Sequence, residues 1–395
     1  MISQKKANLL IPMAGKGQRF IDQGYNVSKP FIEVKNKTLV EHSLDCLDLS
    51  EYNVIFCTRQ DIYPQDCIEK KLKSIFGDDI QVQAIPEYTK GALETCSLAL
   101  QLCDPKLPVV INSLDIGFDF IKAEDLLDSL EDVRTVVFRA GSPAYSYIKV
   151  DNDGKVVEVA EKKVISSIAN IGIYIFKDLS LLKKMFEIEL NSDIPDLKEY
   201  HIAPVINRYI SDGYHVGYKN FPIVHVFGTP KEKDFYEHYV LKDRSNKIGF
   251  FCDHSGVLMK NRFKNIAKEF KLIDILDNGV DDSSVLSSYS DQARAMAKMI
   301  KDKEIDFAFM FCASGNGINI ASNKISNKVI SSLIYNKFAF KKSIQHNNAN
   351  VFSIPSNDMN MFSDEDIKYL FDNLYKIQFE GGRHSSKLMD IIFDE

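Results

Sequence analysis

Two stretches of this chain set reactive or charged side chains against glycines at the end of an apolar run. The first is Met13-Ala14-Gly15-Lys16-Gly17-Gln18-Arg19-Phe20, which closes the apolar run from Asn8 to Met13, with Lys29-Pro30 further on. Glycines after a first strand let the main chain wrap closely around a triphosphate, with N–H groups pointing inward. Arg19 can neutralise such phosphates and the charge that builds up in phosphoryl transfer, and Lys29 can bridge phosphates of two substrates. Taken alone, G-x-G-x-R is at least as often plain turn chemistry. The second stretch is Phe311-Cys312-Ala313-Ser314-Gly315-Asn316-Gly317-Ile318-Asn319. Cys312 stands where a buried strand passes through a glycine-rich turn into a helix. A helix start favours the thiolate, so Cys312 is a candidate base for moving a carbon-bound proton. Ser314 can hydrogen-bond the reacting oxygens, and the backbone N–H groups from Gly315 through Gly317 to Asn319 form a natural oxyanion site. A lone cysteine after a buried strand is more often inert core.

The elements that must position these residues alternate between short apolar strands and amphipathic helices. Runs at 8–13, 53–57, 82–85 and 109–111 read as buried strands, with helical patterns at 38–47 and 92–102 between them. Closer-spaced strands occupy 134–176, where 145–150 and 156–160 flank the hairpin signal Asp151-Asn152-Asp153-Gly154. The polar stretch Leu241–Lys247 precedes a new strand at 248–252 and places a domain boundary near 245. Beyond it the spacing predicts strands at 248–252, 271–276, 305–311, 328–334 and 349–353, with helices after 252 to about 270 and at 289–301, 315–325, 336–345 and 363–377. The fold class is therefore α/β with two Rossmann-like domains. Residues 1–244 form a mostly parallel sheet with an antiparallel section, a mixed sheet, and residues 246–395 form a doubly wound parallel sheet.

Composition narrows the function classes. With 395 residues, 45% hydrophobic and 26% charged, the chain reads as a soluble globular protein of two or three domains. A net charge of −6 speaks against a general nucleic-acid surface, which calls for a basic patch. No signal peptide or membrane-length apolar stretch is expected. Seven scattered cysteines without a C-x-x-C pair fit a reduced, cytoplasmic setting.

An ordered series of segments in the first half resembles the sugar-phosphate nucleotidyltransferases. Leu9–Phe20 and Ser28-Lys29-Pro30-Phe31-Ile32-Glu33-Val34 come first, followed by Thr89-Lys90-Gly91-Ala92-Leu93-Glu94-Thr95, similar to the family's nucleobase loop. Asp115 follows the 109–111 strand; then come Ser146-Tyr147-Ile148-Lys149, Glu158-Val159-Ala160-Glu161-Lys162-Lys163, Asn170-Ile171-Gly172-Ile173-Tyr174, Glu199–Val205 and Gly228-Thr229-Pro230. The resemblance spans about 7–240. It implies nucleotide binding at Ala14, Gly15, Gly17 and Gly91, and sugar-phosphate binding at Glu161, Lys162 and Gly172. It implies a Mg²⁺ ion at Asp115 and catalysis by positioning and charge neutralisation through Arg19 and Lys29, with no protein nucleophile. Two positions depart from the pattern. The usual Asn-x-Asp reads Ser113-Leu114-Asp115, shifted against Asn112, and the acid or amide expected before Gly-Thr is missing from Val224-His225-Val226-Phe227. Imidazole is a poor Mg²⁺ ligand, so His225 reads as structural.

The second half resembles type B ribose-5-phosphate isomerases and the related galactose-6-phosphate isomerase subunits over about 247–390. The carriers are Asp253-His254-Ser255-Gly256, the Cys312 segment, His346-Asn347-Asn348-Ala349-Asn350-Val351 and Phe379-Glu380-Gly381-Gly382-Arg383-His384. The resemblance implies ring opening by His346 as general acid–base. It places Asp253, Tyr289 and Asn347 in the sugar pocket and His254, Arg383 and Lys387 on the phosphate. Ala313, Asn316 and Ser288-Tyr289-Ser290 depart from the family pattern, which can shift the sugar accepted. Members of that family are similar to one another in forming dimers with shared sites, which implies a homodimer or higher oligomer through the C-terminal domain. The expectation is a bifunctional enzyme of nucleotide-sugar supply for surface polysaccharide. It would join a nucleoside triphosphate to a sugar phosphate and interconvert aldose and ketose phosphates. The competing reading keeps the transferase and makes the second half a sugar-phosphate-binding or dimerisation module.

Overall fold

A computed structural model describes residues 4–60, 65–128, 131–192, 199–271 and 273–393. It divides into two compact units, 1–237 and 238–395. Residues 238–244, ahead of the boundary expected at 245, bond within the second unit. Asn348 donates to the Tyr239 carbonyl at 2.7 Å, Lys242 donates to the Asn348 side-chain Oδ1 at 3.4 Å, and Arg244 donates to the Tyr375 carbonyl at 3.3 Å.

The first unit is built on a nine-stranded mixed sheet. Its parallel centre runs Val109–Asn112, Ala7–Pro12, Tyr52–Arg59, Ile80–Ile85. The first three are mostly apolar runs because helices such as Ala92–Ala99 cover them, whereas Ile80–Ile85, at the end of the sheet, alternates with Gln81 and Gln83 and is only partly buried. Ile168–Phe176 joins the centre antiparallel beside Val109–Asn112 and also pairs with Val133–Arg139. The hairpin of Tyr147–Val150 and Val156–Ala160 extends this antiparallel side. A separate two-stranded pairing of Ile116–Phe118 with Val224–Val226 carries the chain past Asp115.

The second unit holds a five-stranded, all-parallel sheet. Its order is Asp274–Asp277, Lys247–Cys252, Phe307–Cys312, Val351–Pro355, Ser331–Leu333. The strand expected at 271–276 is Asp274–Asp277, and Leu272 lies outside the described residues. The helix expected at 363–377 ends at Asn373. A further helix, Arg383–Phe393, was not anticipated. Ser385, Leu388, Met389 and Ile392 are buried on it, and their spacing of three and four was its sequence signal. Among the described residues, no helix is long and apolar enough to cross a membrane.

Candidate active sites

In the first unit, local backbone geometry gathers side chains from distant segments into a cavity of about 600 Å³. Gly15, Gly17, Arg19, Lys29, Asp115, Glu161, Lys162 and Gly172 all line it. Gly17 adopts a left-handed conformation, φ 63°, and a side chain there would come within 3.0 Å of the Lys29 Cβ. The glycine turn therefore packs directly on Lys29. Asn112 does not line the cavity. Its side-chain oxygen accepts the Leu114 N–H at 3.1 Å, which stabilises Leu114 in a left-handed conformation and turns Asp115 toward the cavity. The Asp115 side chain is half-exposed there and forms an ion pair with Lys29.

Two anticipated residues sit elsewhere. Ala14 is buried in the hydrophobic core. Gly91 does not line the cavity, and its φ is 149°. A Cβ at 91 would meet the Tyr200 carbonyl oxygen at 2.3 Å, so this glycine admits the main chain of residue 200. Tyr88 and Ala92 line the cavity from that loop instead, and Lys16 lies 4.6 Å above the Tyr88 ring. Within the cavity, Glu161 and Lys162 meet two residues whose roles the sequence left unassigned. His201 lies 3.7 Å from Glu161 and 3.7 Å from Glu199, and Lys162 is 3.4 Å from His201.

The sequence also missed Glu232. Thr229 caps the helix Pro230–Phe235 by accepting the Glu232 N–H at 3.3 Å, a spacing that reads as a helix start alone. The Glu232 side chain nonetheless lines the cavity and accepts from the Tyr145 hydroxyl at 3.5 Å. Burial, with the charge of Asp115, holds its carboxyl above the usual range. His225 lies outside the cavity, buried, with its imidazole pushed down to about 4 by that burial.

The second unit places its expected residues in two groups. One lies at the carboxyl edge of the parallel sheet. Asp253 accepts from the Ser255 N–H at 2.9 Å and starts a short helical turn. Asp253 also lies near enough to Cys312 for its charge to act on the thiol. Gly315 is left-handed, φ 74°, and a side chain at Gly317 would sit 3.2 Å from the Tyr289 ring. His254 contacts the Ser287 carbonyl at 3.3 Å. The proposed oxyanion donors are partly committed. Gly315 N–H bonds Cys312 O, Asn316 N–H bonds Ser314 Oγ, and Asn319 N–H bonds Gly315 O. The N–H groups of Ile318, Gly315 and Ser314 act on the Cys312 sulfur, yet burial outweighs them and raises the thiol above its ordinary value. Burial thus outweighs the depression expected from the helix start.

The other group lies at the opposite edge. His346 belongs to the helix Lys337–Asn347, which runs back to the start of the strand Val351–Pro355, whereas Cys312 ends the parallel neighbour Phe307–Cys312. A strand of that length spans roughly 17–20 Å. His346 and His384 stack at 4.3 Å and 12°, and their Nε2 atoms lie 3.5 and 3.8 Å from Glu380. Lys342 is 3.1 Å from His346, and Arg383 donates to His384 at 3.4 Å. Burial and these cations lower both imidazoles, His384 to about 4. The three ligand atoms of His346, Glu380 and His384 are close enough for a metal. The cations around them, with exposed Lys387 one helical turn from Arg383, favour an anion instead. Asn347 is exposed beside them. Among the described residues, no hydrogen bond or ion pair joins the two groups.

Comparison with known proteins gives each arrangement its class. A family model described as nucleotidyl transferase matches residues 9–223, and one described as ribose/galactose isomerase matches 248–391. Ribose-5-phosphate isomerase B of Escherichia coli is 30% identical over 142 residues, 36% of this chain and 91% of its own length. The crystal structure of a nucleoside-diphosphate-sugar pyrophosphorylase from Vibrio cholerae shares 24% identity with a TM-score of 0.53. It covers 58% of this chain and 99% of its own, which shows the fold of the first unit. A ribose 5-phosphate isomerase from Thermotoga maritima aligns at 26% identity with a TM-score of 0.34, over 38% of this chain and 98% of its own. This chain belongs to the nucleotidyl transferase family through its first unit and to the ribose/galactose isomerase family through its second.

Proposed function

We propose that the protein is a bifunctional enzyme of nucleotide-sugar supply, serving surface polysaccharide synthesis in the cytoplasm. The first unit joins a nucleoside triphosphate to a sugar phosphate and releases pyrophosphate. The second interconverts aldose and ketose phosphates. The observation that carries the first activity is the cavity that brings Gly15, Arg19, Lys29, Asp115, Glu161 and Lys162 together from four places in the sequence.

In the transfer step a sugar-phosphate oxygen attacks the α-phosphorus. The bond from that phosphorus to the bridging oxygen breaks, and pyrophosphate takes the electron pair. Arg19 and Lys29 offset the charge that moves onto the leaving group. Glu161, Lys162 and His201 orient the sugar phosphate. The donor set suits Mg²⁺, because Asp115 and Glu232 offer hard carboxylate oxygens to one cavity with Lys29 as counter-charge. When bound, that ion would draw electron density from the phosphates.

In the isomerase step Cys312 takes the proton from the carbon beside the carbonyl of the open-chain sugar phosphate, giving an enediolate, and returns it to the former carbonyl carbon while the hydroxyl proton passes to the former carbonyl oxygen. Ser314 and the turn N–H groups hold the oxygens. His346 opens the sugar ring, and Arg383 with Lys387 holds the phosphate. Cys312 and His346 stand at opposite edges of one sheet, so the complete site draws on two copies, which supports a homodimer. The raised Cys312 thiol favours a second reading, in which this unit only binds sugar phosphate or dimerises. A matrix of nucleoside triphosphates against sugar phosphates, scored by pyrophosphate release, tests the transferase. At least one productive pair is expected, and none in the whole matrix contradicts the reading.

A further inference from the structure

The second unit buries one ammonium completely. Lys260, on the helix Val257–Ala267, has no solvent exposure. A buried charge must find its bonds inside the fold, and Lys260 finds them in one short stretch. Its Nζ donates to Asp277 Oδ1 at 2.9 Å, the Val280 carbonyl at 3.0 Å and Asp281 Oδ1 at 3.0 Å, with the Gly279 carbonyl at 3.5 Å. Residues 277–281 are where the chain leaves the strand Asp274–Asp277, and they press on the end of its neighbour Lys247–Cys252. Cys252 Sγ donates to the same Val280 carbonyl at 3.3 Å. A Cβ at Gly279 would meet the Cys252 nitrogen at 2.8 Å and the Lys260 Cδ at 2.9 Å. Beyond this clamp, residues 281–286 are exposed, so packing holds them little. Ser287 then offers its carbonyl to His254 Nδ1 at 3.3 Å, and Ser288 caps the helix Tyr289–Lys301 by accepting the Ser290 N–H at 3.2 Å. A carbonyl only accepts, so this contact puts the His254 proton on Nδ1 and leaves Nε2 for a ligand.

We propose that Lys260 is a positioning residue for the sugar-phosphate site of the second unit. It clamps 277–281 so that the Ser287 carbonyl orients the His254 ring and fixes its tautomer. This rests on the reading of the second unit as one that takes a sugar phosphate, whether it isomerises that sugar or only binds it. An apolar side chain would fill the same space without the desolvation cost of an ammonium, but it would make no bond to 277–281. Removing the ammonium strands no buried charge, because Lys264 still pairs with Asp277 and the Asp281 side chain is exposed. Lys260→Met is therefore expected to fold with the stretch released.

The test uses the full chain with ¹⁵N-labelled histidine, as wild type, Lys260→Met and Asp281→Asn, with the His254 resonances assigned through His254→Asn. Long-range ¹H–¹⁵N spectra are recorded at about pH 8, where free imidazole is neutral. Wild type is expected to show a protonated Nδ1 and an unprotonated Nε2 at His254. In Lys260→Met the two resonances should move toward the mixed values of free imidazole. Its Kd for the tightest of a panel of pentose and hexose phosphates, read by calorimetry, should rise about three- to tenfold, the worth of one hydrogen bond. A merely structural lysine would lower the melting temperature and leave both readings unchanged. Asp281→Asn should move both in the same direction by less, and it carries the test if Lys260→Met does not fold. A wild-type tautomer or a wild-type Kd in the folded variants overturns the role of Lys260. Wild type that binds none of the panel overturns the reading of the second unit instead, and the tautomer alone then decides whether Lys260 holds the ring.

Discussion

The two units use one device, a glycine turn between a buried strand and a helix, and assemble it differently. In the first unit the turn at Gly15–Gly17 faces Asp115, Glu161 and Glu232 across a single cavity. In the second, the turn at Cys312–Gly317 lies near Asp253 and Tyr289, while His346, Glu380, His384 and Arg383 cluster at the far edge of the sheet. The difference follows from topology. Strands and loops of a mixed sheet can converge on one mouth from several sides. In an all-parallel sheet with helical crossovers, a helix carboxyl end lies at the edge opposite to the strand carboxyl ends. The first unit's cavity is therefore assembled within one copy, while the two groups of the second unit stay apart within one copy.

The largest expected effect separates the two chemistries. Asp115→Ala should lower nucleotidyl transfer roughly a thousandfold and leave isomerisation unchanged. Near-normal pyrophosphate release with Mg²⁺ present would remove Asp115 from the site. Next in size, Cys312→Ala should slow isomerisation by about 10²–10⁴-fold without weakening phosphate binding through Arg383. Equal rates for this variant and wild type would point to another base. Because burial raises the thiol, kcat/KM for isomerisation should keep rising as pH passes the ordinary thiol value of 9.0. A plateau below that pH would show the thiolate forming in the free protein.

How far the sequence was legible differs between the same two regions. The ordered motifs disclosed both families and the residues of the first cavity, because their glycines and charges occur at fixed distances from strands. Glu232 was hidden because its spacing from Thr229 has a sufficient local explanation as a helix cap. The packing demand for a glycine at 91 was not legible because its partner, the backbone of Tyr200, lies far away in sequence. The Cys312 thiol followed burial by neighbouring elements, which a local helix-start argument omits. Gly91→Ala tests this long-range packing and should cost about 1–3 kcal/mol through overpacking and an unfavourable φ, read from urea unfolding. An unchanged midpoint would show that the Tyr200 backbone gives way.

The smallest expected effect concerns acid. His225 in the first unit and His384 in the second are both held at about 4, while unfolded imidazoles protonate near 6.5. Stability is therefore full above pH 6.5 and falls as pH drops toward 4, because the unfolded chain takes up protons first. For buried His225 the loss between pH 7 and 5 should be roughly 1–2 kcal/mol. Urea midpoints at the two pH values should converge in His225→Asn, and an unaltered difference would assign the loss to other groups.

The central claim, two working chemistries in one chain, is tested most directly in a single sample in heavy water. Wild-type protein is mixed with Mg²⁺, a nucleoside triphosphate and a panel of pentose and hexose phosphates, then followed by NMR. The account predicts pyrophosphate release together with deuterium wash-in at the carbon beside the carbonyl of at least one sugar phosphate. Pyrophosphate release with no exchange in any sugar phosphate that the protein binds would contradict it, and would leave the second unit a binding or dimerisation module.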